Sequence, residues 1–95
     1  MVEIIISPLA LENIKEIHDY IAKDSIRYAD KEIVKIYKRI NVLNTFPLSG
    51  KAVPEYKIDS VRELIEGNYR IMYEIYSEDS IGILTVHHTS KLLKL

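Results

Sequence analysis

The sequence predicts an α+β fold in which a helical hairpin packs on one face of a small, mainly antiparallel sheet. Three observations predict it: a short β-branched segment opens the chain, two amphipathic helical segments follow, and the last third reads as strands separated by turns. The element order is therefore β-α-α-β-β-β. A chain of 95 residues has room for one hydrophobic core, so residues 1–95 are expected to form a single domain.

The first strand and both helices are recognised by their end signals and apolar spacing. Residues 2–6 are rich in isoleucine, and Ser7-Pro8 then supplies an N-cap followed by a proline at the first helical position. Within 8–23, apolar residues recur every three or four positions, at Leu11, Ile14, Ile17 and Ile21. The same spacing predicts a second helix over 26–46, with Ala29, Ile33, Ile36, Ile40 and Leu43 on one face. The short break between them implies an antiparallel helical hairpin.

Three strands are predicted at 61–66, 69–76 and 81–88, after an aperiodic loop at 49–59. Gly67-Asn68 suits a two-residue type II′ turn, which places Arg70 opposite Ile65. If the next turn is symmetric about Glu78-Asp79, Arg70 also lies opposite His87, and Tyr73 lies opposite Leu84. One face of the sheet is then an apolar core face, formed by Leu64, Ile71, Tyr73, Ile75, Leu84 and Val86. The other face is polar and open, and it carries Glu63, Arg70, Met72, Glu74, Thr85 and His87.

A polar face of an antiparallel sheet ordinarily just faces water. The alternative is a concave site centred on Arg70, with Glu63 diagonally across in reach of a side-chain pair. Such a pair could be purely structural, or it could hold the guanidinium in place for a phosphate. His87 and His88 point to opposite faces of their strand, so they cannot ligate one metal together, and neither metal nor cofactor is expected. A histidine at a strand edge could still act as a general acid or base.

Composition excludes several classes of protein. The absence of cysteine rules out a disulfide scaffold and a thiolate site, and no apolar run is long enough for a membrane span. Without a signal-peptide pattern, a cytoplasmic protein is expected. Thirteen basic and fourteen acidic residues give a net charge of −1, which argues against a general grip on nucleic acid. A local basic cluster remains at residues 87–95, which include Lys91 and Lys94 but no acid.

Four motifs occur in the order found in one family. In chain order they are Pro-Leu-Ser-Gly-Lys at 47–51, Arg-Glu-Leu at 62–64, Gly-Asn-Tyr-Arg-Ile-Met-Tyr at 67–73, and a closing strand ending in two histidines at 87–88. Together they resemble the RelE/ParE superfamily of toxins from type II toxin–antitoxin systems, over nearly the whole chain. The Pro-x-x-Gly loop is similar to that of the ParE-like branch.

The resemblance implies roles for individual residues. Arg70 matches the arginine that contacts the phosphate at the cleaved bond in the ribonuclease branch, and His88 matches the closing histidine. The predicted register instead favours His87 beside Arg70, and a bulge in the second hairpin would reconcile the two. If the chain is a ribonuclease, Arg70, His87 and His88 are the catalytic candidates. Further candidates for contacts with the target or a phosphate are Arg62, Glu63, Tyr73, Lys91 and Lys94. Lys91 departs from the family's usual arginine, whose bidentate fork an ammonium cannot replace.

The superfamily contains two different activities. RelE-like members cleave mRNA on the ribosome, whereas ParE-like members inhibit DNA gyrase and need no hydrolytic site. The near-neutral charge, the long helical hairpin and the Pro-x-x-Gly-Lys loop favour the ParE-like branch. We therefore expect a toxin that inhibits growth through DNA gyrase. A cognate antitoxin is expected to neutralise it by laying an apolar helix or strand over the open face or the hairpin. A ribosome-dependent mRNA endoribonuclease and a degenerate, non-toxic family member are the competing hypotheses.

Overall fold

Two helices pack on a five-stranded mixed sheet in the computed structural model, which describes residues 2–90. The elements in chain order are β1 (Glu3–Ile6), α1 (Pro8–Ala22), α2 (Ile26–Asn41), a short 3-10 helix (Val42–Asn44), β2 (Lys51–Ala52), β3 (Val61–Glu66), β4 (Tyr69–Ser77) and β5 (Ser80–His88). The strands lie side by side in the order β1-β5-β4-β3-β2. Among the described strands only β1 pairs in parallel, so the predicted α+β architecture with a mainly antiparallel sheet is confirmed.

Each helix is preceded by a serine that caps its N-terminus. The Ser7 hydroxyl accepts a hydrogen bond from the amide of Ala10, and the Ser25 hydroxyl accepts one from the amide of Tyr28. The second helix is shorter than the predicted 26–46, because α2 ends at Asn41 and the chain tightens into the 3-10 turn. Within residues 2–90 no helix combines the length and apolarity needed to cross a bilayer.

The β3–β4 hairpin has the predicted register. Glu66 pairs with Tyr69, and Ile65 pairs with Arg70. Gly67 has a φ of +58°, whereas Asn68 keeps a negative φ, which is the combination that a type II′ turn requires. A turn of two residues therefore determined the pairing of both strands.

The β4–β5 hairpin departs from the prediction at Leu84. Arg70 pairs with His87 and Ile71 pairs with Val86, as expected, but Tyr73 pairs with Ile83. Leu84 is an extra residue in β5, where the register shifts between Met72 and Tyr73. The bulge sends the Leu84 side chain to the opposite face, so its predicted place in the helix-covered core is wrong.

Ser7 and Asn13 form hydrogen bonds with the bulge and with the part of β5 that lies beyond the end of β1. The Ser7 hydroxyl donates to the Leu84 carbonyl over 2.9 Å, and the Ser7 amide donates to Ile83. Because β1 ends at Ile6, the later residues of β5 pair with β4 on one side and have no strand on the other. There the Asn13 side chain accepts a hydrogen bond from the Val86 amide over 3.1 Å. These contacts satisfy backbone groups that an open sheet edge would leave without partners.

The core lies between the helical hairpin and one face of the sheet. Its buried members come from every layer and are Ala10, Ile14, Ile36, Ile40, Leu43, Leu64, Ile71, Tyr73, Ile81, Ile83 and Val86. Ile75 packs against this cluster while remaining partly exposed, as the predicted core face requires.

The opposite face of the sheet is not open, which corrects the prediction for that face. The expected loop at 49–59 contains β2, which pairs with β3, and is followed by a segment that lies on the sheet. Val53 from that segment buries Met72 and Val61 in a second apolar cluster, with Tyr56 and Leu84 at its border. Met72 is only 1% exposed. Residues 53–56, here named the covering segment, therefore form a second layer over part of this face.

Candidate functional site

The covering segment and the sheet enclose the guanidinium of Arg70. Arg70 lies on the face opposite the helices, and it is 9% exposed. Its Nε donates to Glu63 over 2.8 Å, and its Nη1 and Nη2 donate to the two oxygens of Glu55 over 2.9 and 3.2 Å. Nη2 also contacts the Glu63 carboxylate. We call these three side chains the Arg70 cluster.

The two carboxylates occupy most of the hydrogen-bonding capacity of Arg70. The guanidinium has five N–H donors in all, and it makes the four hydrogen bonds described above. The hydrogen bond with Glu55 is the largest influence on the pKa of Arg70 and raises it, burial opposes that shift, and Glu63 adds to it. One positive and two negative charges leave the Arg70 cluster net negative, so an incoming phosphate would have to displace a carboxylate.

Glu63 was expected at this position, but Glu55 was not. Glu63 lies one strand away from Arg70, so the sheet register could predict their contact. Glu55 belongs to a loop without periodicity, and its place depends on how the covering segment packs. The only available signal was the Pro54-Glu55 pair that follows the Pro-x-x-Gly loop, which gives no direction for the side chain.

The two histidines are separated by the sheet. His87 pairs with Arg70 and lies on the same face, where its Nδ1 is 3.4 Å from the Thr85 hydroxyl. His88 pairs with Tyr69 on the other face, and their rings meet edge to face at 5.7 Å. The His88 Nδ1 also accepts a hydrogen bond from the Ser90 amide. The bulge at Leu84 is offset by an extra residue in β4, Tyr76, so Arg70 still pairs with His87. His88 is therefore not brought to Arg70, and the predicted reconciliation of the two alignments is wrong.

Arg62 and Tyr73 hold the loop that carries the Pro-x-x-Gly motif. The Tyr73 hydroxyl donates to the Pro47 carbonyl and accepts from the Gly50 amide, both over 2.9 Å. Arg62 Nη1 donates to the Gly50 carbonyl over 3.0 Å. A Cβ at Gly50 would stand 2.5 Å from the Tyr73 hydroxyl oxygen, so only glycine permits this approach. Burial raises the pKa of Tyr73, and the Gly50 hydrogen bond partly offsets that rise.

The structure thus brings together some of the candidate residues and separates others. Arg70, Glu63 and His87 share one region, whereas His88 lies on the opposite face and Arg62 and Tyr73 serve the loop at 47–50. Lys91 and Lys94 lie outside the described residues. No group of three or more acidic or histidine side chains within residues 2–90 has an arrangement that could hold a metal ion.

The sheet thus supports a helical hairpin on one side and the covering segment on the other. A family model described as the ParE toxin of the type II toxin–antitoxin system parDE matches residues 4–93. The chain therefore belongs to the ParE toxin family, and this membership implies an antitoxin as its partner.

A solved structure has the same fold. A chain of the chromosomal ParDE TA system from P. aeruginosa superposes with a TM-score of 0.77 at 19% sequence identity, covering 95% of this chain and 98% of that chain. No curated protein matches the sequence significantly. The fold is thus shared at low sequence identity, so the roles of individual residues rest on the geometry described above.

Proposed function

We propose that this toxin arrests growth in the cytoplasm by inhibiting DNA gyrase, without cleaving RNA, and that its antitoxin neutralises it. The observation that carries the proposal is the state of Arg70. A ribonuclease needs a cation that can stabilise charge on a phosphate in the transition state. Here that guanidinium is buried and hydrogen-bonded to two carboxylates, which favours a structural role.

The distribution of the other candidate groups supports the same conclusion. General acid–base catalysis requires the proton donor and the charge-stabilising group to reach one substrate. His88 lies on the opposite face of the sheet from Arg70, and it contacts Tyr69 and Ser90. The net charge of −1 further limits the electrostatic attraction to an RNA backbone.

One observation favours the competing ribonuclease. His87 lies beside Arg70 on the same face, so a substrate that displaced the covering segment would meet a histidine and a guanidinium together. The Glu55 carboxylate would have to leave Arg70 in that event, and the Val53 and Met72 side chains would become exposed. The cost of that exposure argues against the ribonuclease.

Expression of the chain without its antitoxin tests the proposal, when mRNA integrity and the DNA-damage response are scored in the same culture. We expect growth arrest, induction of the damage response and intact transcripts before growth stops. His87→Gln is the matched variant, because it preserves a polar side chain while removing acid–base chemistry, and it is expected to remain toxic. Transcripts cleaved by the wild type and spared by His87→Gln would establish the ribonuclease. A harmless wild type would indicate a degenerate member of the family.

A further inference from the structure

A buried carboxylate lies outside the Arg70 cluster, on α2. Glu32 is 9% exposed, yet none of the ion pairs formed within residues 2–90 includes it, and neither does any side-chain hydrogen bond described there. Its Oε1 lies 3.5 Å from the position that a Cβ on Gly67 would occupy, so the carboxylate points at the β3–β4 turn. Burying a carboxylate without a counter-charge is unfavourable, so a cation from a binding partner would be bound favourably at Glu32.

The Glu32 carboxylate opens into a cavity of about 240 Å³ between the helical hairpin and the β3–β4 turn. We call this cavity the Glu32 pocket. Tyr28, Glu32 and Lys35 line it from successive turns of α2. The remaining walls come from the end of α1 and the turn and are Ile21, Glu66, Gly67, Asn68 and Tyr69. The space is sufficient for the end of a long side chain.

The Glu32 pocket has a negative field. Glu32 and Glu66 contribute two carboxylates against the single ammonium of Lys35, and Lys35 forms no ion pair with either of them within residues 2–90. The phenol of Tyr69 reports this field, because its pKa is raised first by burial and then by the charge of Glu32. The same charge that disfavours a tyrosinate stabilises a cation.

The walls favour a planar cation. Tyr28 and Tyr69 line the pocket together with the carboxylates. A guanidinium can stack on a tyrosine ring while it donates two parallel hydrogen bonds to a carboxylate. An ammonium cannot form that fork. We infer that the Glu32 pocket receives an arginine side chain of the antitoxin, with Glu32 accepting its hydrogen bonds. The identity of the partner rests on the family and on the proposed function, whereas the preference for a guanidinium rests on the pocket.

The antitoxin is the partner that suits this chemistry. Adding one arginine would balance the net negative charge of the pocket, and a buried arginine–glutamate pair fixes the register of a partner as well as adding affinity. A toxin that must be held inactive requires a long-lived complex, and a desolvated charge pair contributes mainly to slow dissociation.

The first experiment tests the pocket alone. N-acetyl-arginine amide is titrated into the toxin while the backbone amide resonances of Gly67 and Asn68 are followed by NMR, with N-acetyl-citrulline amide as an uncharged analogue of the same shape. We expect saturable shifts with the arginine compound only, and their loss in Glu32→Gln. Absence of shifts, or equal shifts in Glu32→Gln, would overturn the inference.

The second experiment uses the antitoxin encoded beside the toxin. We expect Glu32→Gln to weaken the complex by about tenfold or more, measured as Kd at low salt. Glu78→Gln is the matched control, because Glu78 is exposed in the β4–β5 turn at the other end of the sheet, and it should bind as the wild type does. Thermal unfolding of both variants verifies that they are folded.

The two experiments separate this inference from the proposed function. Equal affinity of Glu32→Gln and wild type for the antitoxin would overturn the inference and leave the toxin–antitoxin assignment intact. Absence of any complex with the antitoxin would instead contradict neutralisation by that protein, while the arginine titration would still decide whether the pocket binds a guanidinium.

Discussion

The two faces of the sheet are buried by different means. The helix-covered face is apolar throughout, and its largest buried side chains, such as Ile36 and Tyr73, pack among residues of both helices and four strands. The opposite face is covered by a four-residue segment that combines a small apolar cluster around Met72 with the ion pairs of Arg70. The first face is stabilised by apolar packing, which does not depend on direction. The second face depends on a few ion pairs, which require a defined geometry.

This contrast supports the structural role proposed for Arg70. The apolar cluster on the second face has three buried members, which are Val53, Val61 and Met72. The bidentate contact between Arg70 and Glu55 supplies a directional attachment, and Glu63 accepts further hydrogen bonds from the same guanidinium. The same position in an open face would leave the guanidinium available to a phosphate.

The largest expected effect comes from removing the charge that holds the second face. Arg70→Met leaves two carboxylates facing each other without a cation, and it should lower the free energy of unfolding by about 3–5 kcal/mol. Urea denaturation measures this loss. The triple variant with Glu55→Gln and Glu63→Gln should recover most of it, because no uncompensated charge then remains. A loss below about 1 kcal/mol for Arg70→Met would show that the ion pairs are incidental.

A smaller loss in the free energy of unfolding is expected when either face loses apolar contacts. Ile36→Ala opens a cavity in the helix-covered core and should cost about 3 kcal/mol, since Ile36 is fully buried. Val53→Ala removes less surface and should cost about 2 kcal/mol, because the covering segment can settle onto the sheet. Chemical denaturation of the two variants in parallel checks this order. Equal losses would mean that the covering segment is as rigidly packed as the helices.

The hydroxyl of Tyr73 joins the sheet to the loop at 47–50. Tyr73→Phe leaves the Gly50 amide and the Pro47 carbonyl without their partner and should cost about 1–2 kcal/mol. Tyr76→Phe is the control, because Tyr76 is 55% exposed, and its change should stay within about 0.5 kcal/mol. Thermal unfolding of the pair is a sufficient test, and similar melting temperatures would contradict the role assigned to the Tyr73 hydroxyl.

The smallest expected effect is a loss of stability that occurs only at alkaline pH. The pKa values of Tyr69 and Tyr73 are both raised, chiefly by burial. Each folded-state pKa therefore lies above the unfolded value of about 10, so the folded protein holds these protons longer. The corresponding stability is complete below pH about 10 and is lost as the pH rises through the folded pKa values. Tyrosinate absorbance should show two late-titrating groups, which Tyr69→Phe and Tyr73→Phe each reduce by one.

Local signals accounted for most of the architecture. Ser7-Pro8 and Gly67-Asn68 act through neighbours along the chain, so the start of α1 and the register of β3 with β4 could be predicted. Arg70 opposite His87 followed from the same alternation. The bulge at Leu84 could not, because it is fixed by a hydrogen bond from Ser7, which lies 77 residues away in the chain.

The candidate site was predicted less completely for the same reason. The contact of Arg70 with Glu63 follows from the strand register, but Glu55 reaches Arg70 only after the covering segment has folded onto the sheet. Glu32 left a weaker signal that could have been used: it lies three residues after Ala29 and four before Ile36, on the apolar stripe of α2. A charged residue on a core stripe indicates either a hidden partner or a binding pocket.

The most direct test of the central claim is a DNA supercoiling assay with purified toxin and gyrase, run beside a translating ribosome assay on the same preparation. If the Arg70 cluster is structural, the toxin should inhibit supercoiling in proportion to its concentration, antitoxin should relieve the inhibition, and mRNA on the ribosome should stay intact. Cleaved mRNA with unimpaired supercoiling would contradict the account and return Arg70 to the role of a catalytic residue.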